Sequence, residues 1–295
     1  MKHFITALIL LLTLCLPLGG CAHDTQTADS AAVSKATIRV AVSIVPQQTF
    51  IHKVGGERVS VVTMIPPGYS PETYAPGPRL LQEFSDADIY FTIGVASEET
   101  VLASALDLNP ALRVCDLAAA AEAEYPALEL VPGEKDPHVW MSPRRVIPMV
   151  ETAARELAAL DPDNASYYFD NARAYAAELA ALDAEIASAL DGLKQRTFIV
   201  FHPSMGYFAA DYGLSMAAIE EHGKDATPHS LQDIIDLAQA ESIRVIFYQE
   251  EHDSRQAETI AAEIGGQTEC IAPLAADYID NLRTTAAVFK RVLGD

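Results

Sequence analysis

Between Ala165 and Leu193 the chain is dense in Ala, Leu and Glu and meets no Gly or Pro until Gly192. At about 1.5 Å per residue the run predicts a helical rod of ~40 Å, longer than a compact lobe needs. It reads as a spine between two lobes. On its N-terminal side, β-branched runs at 38–45, 59–65, 89–93 and 113–117 read as strands. Helical segments at 49–55, 78–85 and 98–106 lie between them. On its C-terminal side, strands at 198–201, 215–219, 245–248 and 268–271 alternate with helices at 206–212, 230–241, 255–264 and 277–293. Strands alternating with helices imply parallel sheets with covered faces. Ser142-Pro143 opens a further helix to about 160, with Ser142 as its N-cap and Pro143 in the first turn. The expected fold is α/β, two lobes with parallel-rich central sheets joined by one long rigid helix. The boundaries are 37–163, 164–193 and 194–295.

The N-terminus carries an address. An apolar run from Ile5 to Leu16 follows Met1-Lys2-His3 and is too short to span a bilayer, which takes about 20 apolar residues. It fits the h-region of a secretory signal over residues 1–20. The close Leu18-Gly19-Gly20-Cys21 resembles a bacterial lipobox, so Cys21 is expected to be lipidated and to lead the mature chain. Residues 21–36 are small and polar and read as a flexible tether. The body is thus expected to be exported and held to a bacterial membrane, in the periplasm or at the cell surface, by its lipid alone.

Removing residues 1–20 takes away Lys2 and no acid, which leaves 19 basic and 41 acidic side chains, a formal −22. That charge disfavours nucleic acid and anionic lipid surfaces. Two cysteines, Cys115 and Cys270, remain in the folded body. Each sits in an apolar, strand-like run, and the expectation is two small buried hydrophobes rather than a disulfide.

Polar ligand-type residues gather beside Pro, Gly and aromatic residues at strand ends, where open α/β sheets bind ligands. The segments are Pro66-Pro67-Gly68 with the Pro-rich turn after it, Asp136-Pro137-His138-Val139-Trp140, and His202-Pro203-Ser204-Met205-Gly206-Tyr207-Phe208. A fourth is Pro273-Leu274 with Asp277-Tyr278. In this order, behind a lipobox and around a long central helix, they resemble the zinc/manganese substrate-binding lipoproteins of ABC importers, over about residues 38–293. The resemblance implies one divalent metal held between two lobes by a ligand from each of four loops, which here fall on Glu72, His138, His202 and Asp277.

The commonest zinc pattern of that family places His where this chain has Glu72. Two imidazoles with two carboxylates suit Zn2+, and also Mn2+ or iron. The stretch 122–135 contains no His, unlike the His- and acid-rich loop of many zinc importers. Asp277 could instead cap a helix, and Glu72 could be a solvated turn carboxylate. Glu250, Glu251, His252 and Asp253 form a polar cluster that could supply a substitute ligand. His222 and His229 read as surface loop, and His52, His23 and His3 as unrelated to the site. Trp140 and Tyr74 read as cleft wall.

The expected function is a monomeric receptor that captures a divalent metal, zinc before manganese, and hands it to a membrane permease. A metal-dependent hydrolase is the alternative from another class, but no His-Glu-x-x-His helix or nucleophile elbow is present. A surface adhesin finds no repeat or aromatic-rich patch to support it. Metal affinity is expected to fall as acid protonates the imidazoles, near pH ~6.5 for unperturbed His.

Overall fold

The computed structural model describes residues 37–220, 226–252 and 254–294. The signal segment, Cys21 and the tether, with His222 and Asp253, lie outside the described residues. The first half runs β1 (Ile38–Val42), α1 (Val45–Gly55), β2 (Val59–Thr63), α2 (Pro78–Ser85), β3 (Ile89–Thr92), α3 (Glu98–Leu108) and β4 (Arg113–Asp116). A short α4 (Leu117–Glu122) and a hairpin of β5 (Glu129–Val131) and β6 (Glu134–Lys135) follow, then α5 (Pro143–Leu160) and α6 (Ala165–Leu190). The second half runs β7 (Thr197–Val200), α7 (Gly206–Asp211), β8 (Ser215–Ala218), α8 (Pro228–Ala240), β9 (Val245–Gln249), α9 (Arg255–Glu263), β10 (Gln267–Ile271) and α10 (Tyr278–Leu293).

Both four-stranded sheets are parallel throughout, ordered β2-β1-β3-β4 and β10-β9-β7-β8. Numbered within its own half, each sheet has the same order, 2-1-3-4. The chain therefore builds one topology twice, and each copy has a switch point between its first and third strands. That crevice, at the carboxyl ends of the strands, is where a doubly wound sheet accepts a ligand.

In the first sheet the protein's own side chains fill this place. Glu98, 7 % exposed, accepts from the Ile93 and Gly94 amides at 2.8 Å and from Ser43 Oγ. Ser43 Oγ also pairs with Tyr90 Oη at 2.9 Å. Burial pushes the Glu98 carboxyl up to about 7 against the pull of its donors. In the second sheet the equivalent position, at the carboxyl ends of β7 and β9, is given to His202 and Gln249.

Helix α6 is one unbroken rod, and Tyr168, Ala172, Tyr175, Leu179, Leu182, Ile186 and Leu190 form its buried stripe. Steps of three and four residues keep that stripe on one face. It ends before Asp191-Gly192, where Gly192 takes a φ of +71°, open to Gly and strained for other residues. The main apolar core runs without a break from the first sheet through α5, α6 and α10 into the second sheet. A smaller core under α8 and α9 covers the other face of the second sheet. Two lobes are present, but they share one core across the spine.

Some expectations change. Ser142 stands at the N-cap position of α5 but does not cap; its Oγ donates to Asp211 Oδ2 at 2.6 Å instead. Cys115 and Cys270 are free thiols, Cys115 half-buried and Cys270 exposed, because β10 is a sheet edge with one flank uncovered. Among the described residues no helix is long and apolar enough to cross a membrane.

Candidate metal centre

Three of the four residues expected at a metal site meet in one cavity: Glu72 from the turn after β2, His138 before α5, and His202 after β7. His202 Nε2 lies 3.3 Å from His138 Nε2 and 3.3 Å from Glu72 Oε1, and His138 Nε2 lies 3.8 Å from the same oxygen. Ligand atoms bound at about 2.1 Å on a tetrahedron sit ~3.4 Å apart, so the three atoms form close to one face of a zinc-sized tetrahedron.

Each ligand is aimed by a partner behind it. His138 Nδ1 pairs with Asp136 Oδ1 at 2.8 Å, and the same oxygen accepts the His138 amide at 2.9 Å. His202 Nδ1 pairs with Glu220 Oε2 at 2.6 Å. Ser70 Oγ donates to Glu72 Oε2 and leaves Oε1 toward the imidazoles. With both Nδ1 atoms held by carboxylates, both Nε2 lone pairs face the cavity, the arrangement that prepares His for a metal. Asp136 is fixed in turn: Tyr207 Oη donates to its carbonyl at 3.1 Å, and a Cβ on Gly206 would overlap Asp136 Oδ2. The Gly and Tyr of the His-Pro-x-x-Gly-Tyr segment thus serve His138, through Asp136, and not the His202 of their own segment.

Without an ion the centre is a charge network. Burial alone would raise the Glu72 carboxyl, but hydrogen bonds from His138 and His202 outweigh it and hold it well below the usual carboxylate range. Burial alone would lower His202; Glu220 and Glu72 reverse this and push it up to about 9. His138 is likewise raised by Asp136 and Glu72 against its burial. His252 stacks on His202 with ring centres 4.4 Å apart, and burial together with the His202 charge lowers it.

Asp277, the fourth expected ligand, is not brought in. It is exposed at the start of α10, belongs to neither cluster of ligand-type atoms found among the described residues, and makes no capping hydrogen bond either. The chain touches the cavity earlier, at Pro273 and Leu274, and has left it by Asp277. The Pro273 carbonyl accepts from Trp140 Nε1 at 2.9 Å, and Tyr278 Oη donates to the Trp140 carbonyl at 2.6 Å, so this segment walls the site. Glu251 and His252 line the cavity as well. Glu220, His252 and His202 form a second cluster of ligand-type atoms beside the first. Asp136 and Glu220 had escaped as functional residues. An Asp two places before a ligand His is a local signal; Glu220, 18 residues past His202, has none.

Removing either orienting carboxylate, as Asp136→Ala or Glu220→Ala, is expected to weaken metal binding by about 10- to 100-fold with all three ligands still present. A zinc competition titration checks this; wild-type affinity in both variants would show that the carboxylates only fill space.

The model of the zinc-uptake complex component A, periplasmic, matches residues 40–292. The zinc-binding lipoprotein AdcA of Streptococcus pneumoniae serotype 4 is 29 % identical over 256 residues, 80 % of this chain and 50 % of that protein. The chain therefore spans half the length of that relative. The high-affinity zinc uptake system protein ZnuA of Bacillus subtilis is 28 % identical over 274 residues, 88 % of this chain and 86 % of that one. A crystal structure of ZnuA superposes with a TM-score of 0.82 at 38 % identity, over 87 % of this chain and 99 % of that one. Two parallel sheets about one long helix, with two imidazoles facing a single cavity, agree with that match: the chain belongs to the family of periplasmic component A of the zinc-uptake complex.

Proposed function

We propose that this protein is the extracytoplasmic receptor of an ABC importer, which captures one zinc ion between its lobes and delivers it to a membrane permease. The observation that carries the reading is the triangle of Glu72 Oε1, His138 Nε2 and His202 Nε2, with 3.3 to 3.8 Å sides and both imidazoles aimed by carboxylates. The relatives named for zinc binding and zinc uptake support the cargo. Cys21 is the proposed lipid attachment, supported by the lipobox and by the relative named a lipoprotein. The cavity is lined by two imidazoles and a carboxylate that converge on one point, which suits capture of an ion.

Two nitrogens and a carboxylate oxygen bind zinc more tightly than manganese, in keeping with the order of intrinsic affinities. Protein purified without added metal is expected to carry, or to take up, one zinc per chain by elemental analysis. Zinc must displace the proton that Glu220 and Glu72 hold on His202, so affinity falls as pH drops below about 9, earlier than an unperturbed imidazole would give. Each proton released contributes about tenfold per pH unit. Absence of saturable zinc binding at pH 8 would overturn the reading.

A further inference from the structure

Gln249 ends β9 at the switch point of the second sheet. Its side chain is 2 % exposed and lines the same cavity as Glu72, His138 and His202. The amide nitrogen is committed: Nε2 donates to the His202 carbonyl at 3.2 Å and to Ser204 Oγ. A backbone carbonyl can only accept, so this bond fixes which end of the amide is nitrogen. Oε1 is then the free end, and among the described residues it accepts no hydrogen bond. Buried amide oxygens in folded proteins are nearly always given a donor. His138 and His202 cannot serve once metal holds their Nε2 atoms, His252 makes no hydrogen bond to this oxygen, and a bare ion carries no hydrogen. A metal-bound water does. Zinc held by three protein groups keeps one tetrahedral position for water, and the cavity has room for one.

We propose that Gln249 Oε1 accepts a hydrogen bond from the water in the fourth position of the bound zinc, which makes Gln249 a positioning residue of the metal centre. The inference rests on the zinc-receptor reading above. It explains how a site without Asp277 is completed. The water, unlike a fourth protein ligand, leaves with the ion when the lobes release it.

The test uses the full chain, with zinc competition for affinity and the visible bands of bound Co2+ for geometry. Wild type is expected to give four-coordinate cobalt bands. Gln249→Met keeps the volume and removes the acceptor; it should loosen zinc by about 10- to 100-fold and change those bands. Gln249→Glu keeps an acceptor oxygen, with Ser204 turned to donate to it, and should restore both readouts. Wild-type affinity and bands in Gln249→Met would overturn the proposal, as would a Gln249→Glu as weak as the Met variant. If Gln249→Met fails to fold, Gln249→Glu decides alone: retained cobalt bands support the proposal and lost ones overturn it. A wild type that binds neither ion would instead defeat the metal-site reading itself.

Discussion

His202→Ala is expected to lower zinc affinity by roughly 10²–10³-fold, about a quarter of the ~10–16 kcal/mol that a structural zinc site supplies. His202 is the most exposed to loss because it stands at the hub of the network. Its Nε2 faces both other candidate ligands, its Nδ1 is held by Glu220, and its ring supports His252. His138→Ala should cost a similar factor, since His138 has the same carboxylate-backed geometry through Asp136. Glu72→Ala removes the only anionic member of the triangle and should weaken zinc and manganese together. Glu72→His should widen the preference for zinc by replacing a hard oxygen with a nitrogen. Asp277→Ala is the internal control and should leave affinity at the wild-type value, because Asp277 is exposed outside the cluster. Competition against a chromophoric chelator at pH 8 measures all of these. A His202→Ala variant within a few-fold of wild type would remove His202 from the site, and a large loss in Asp277→Ala would return that residue to it.

The parts of this protein legible in its sequence are those written locally. The run 165–190 declares its helix by composition, and the eight long strands and their helices by the change of period at Gly, Pro and Asp. The two imidazoles stand out because each follows a strand or turn beside Pro and an aromatic residue. What was illegible depends on the third dimension. Glu220 acts through the Nδ1 of a histidine 18 residues back on another turn, and only folding sets that distance; Asp136, two residues before His138, is the local signal that composition alone does not single out. Gln249 falls just past the strand expected at 245–248, and its proposed place at the metal centre comes from parallel pairing of β9 with β7, which lays its amide against the His202 carbonyl. Asp277 lies in the expected segment, but Pro273 and Leu274 form the wall there and the chain turns outward before it, a placement no local pattern announces. The short α4 and the β5–β6 hairpin escaped because elements of six, three and two residues carry almost no periodic signal.

The largest loss of stability is expected from a residue no motif marks. Arg145, on α5, is 5 % exposed, and its Nε and Nη2 donate to Asp211 Oδ2 and Oδ1 at 2.7 and 2.9 Å. Its Nη1 donates to the Pro126 carbonyl at 2.8 Å, and its guanidinium stands 4.7 Å from the centre of the Tyr207 ring. Asp211 closes α7 and also accepts from Ser142 Oγ. Burial would raise its carboxyl, but Arg145 and Ser142 hold it below the usual range. This pair ties the helix that follows His138 to the helix that follows His202, and so fixes one ligand loop against the other. Asp211→Ala leaves a buried guanidinium with one carbonyl and aromatic faces, a loss of about 3–5 kcal/mol. In a chain of this size that corresponds to a melting temperature lower by on the order of 10 °C. The ligands themselves remain, so zinc at ~1,000 times its dissociation constant should still add about 4 kcal/mol and recover much of the loss. Melting curves of wild type and Asp211→Ala with and without zinc check both statements. If the pair matters for its charge and not its volume, Arg145→Met with Asp211→Leu should be less damaging than either single change, because no uncompensated charge stays buried. A metal-free Asp211→Ala that melts with wild type would show that the two ligand loops are held by the shared apolar core alone.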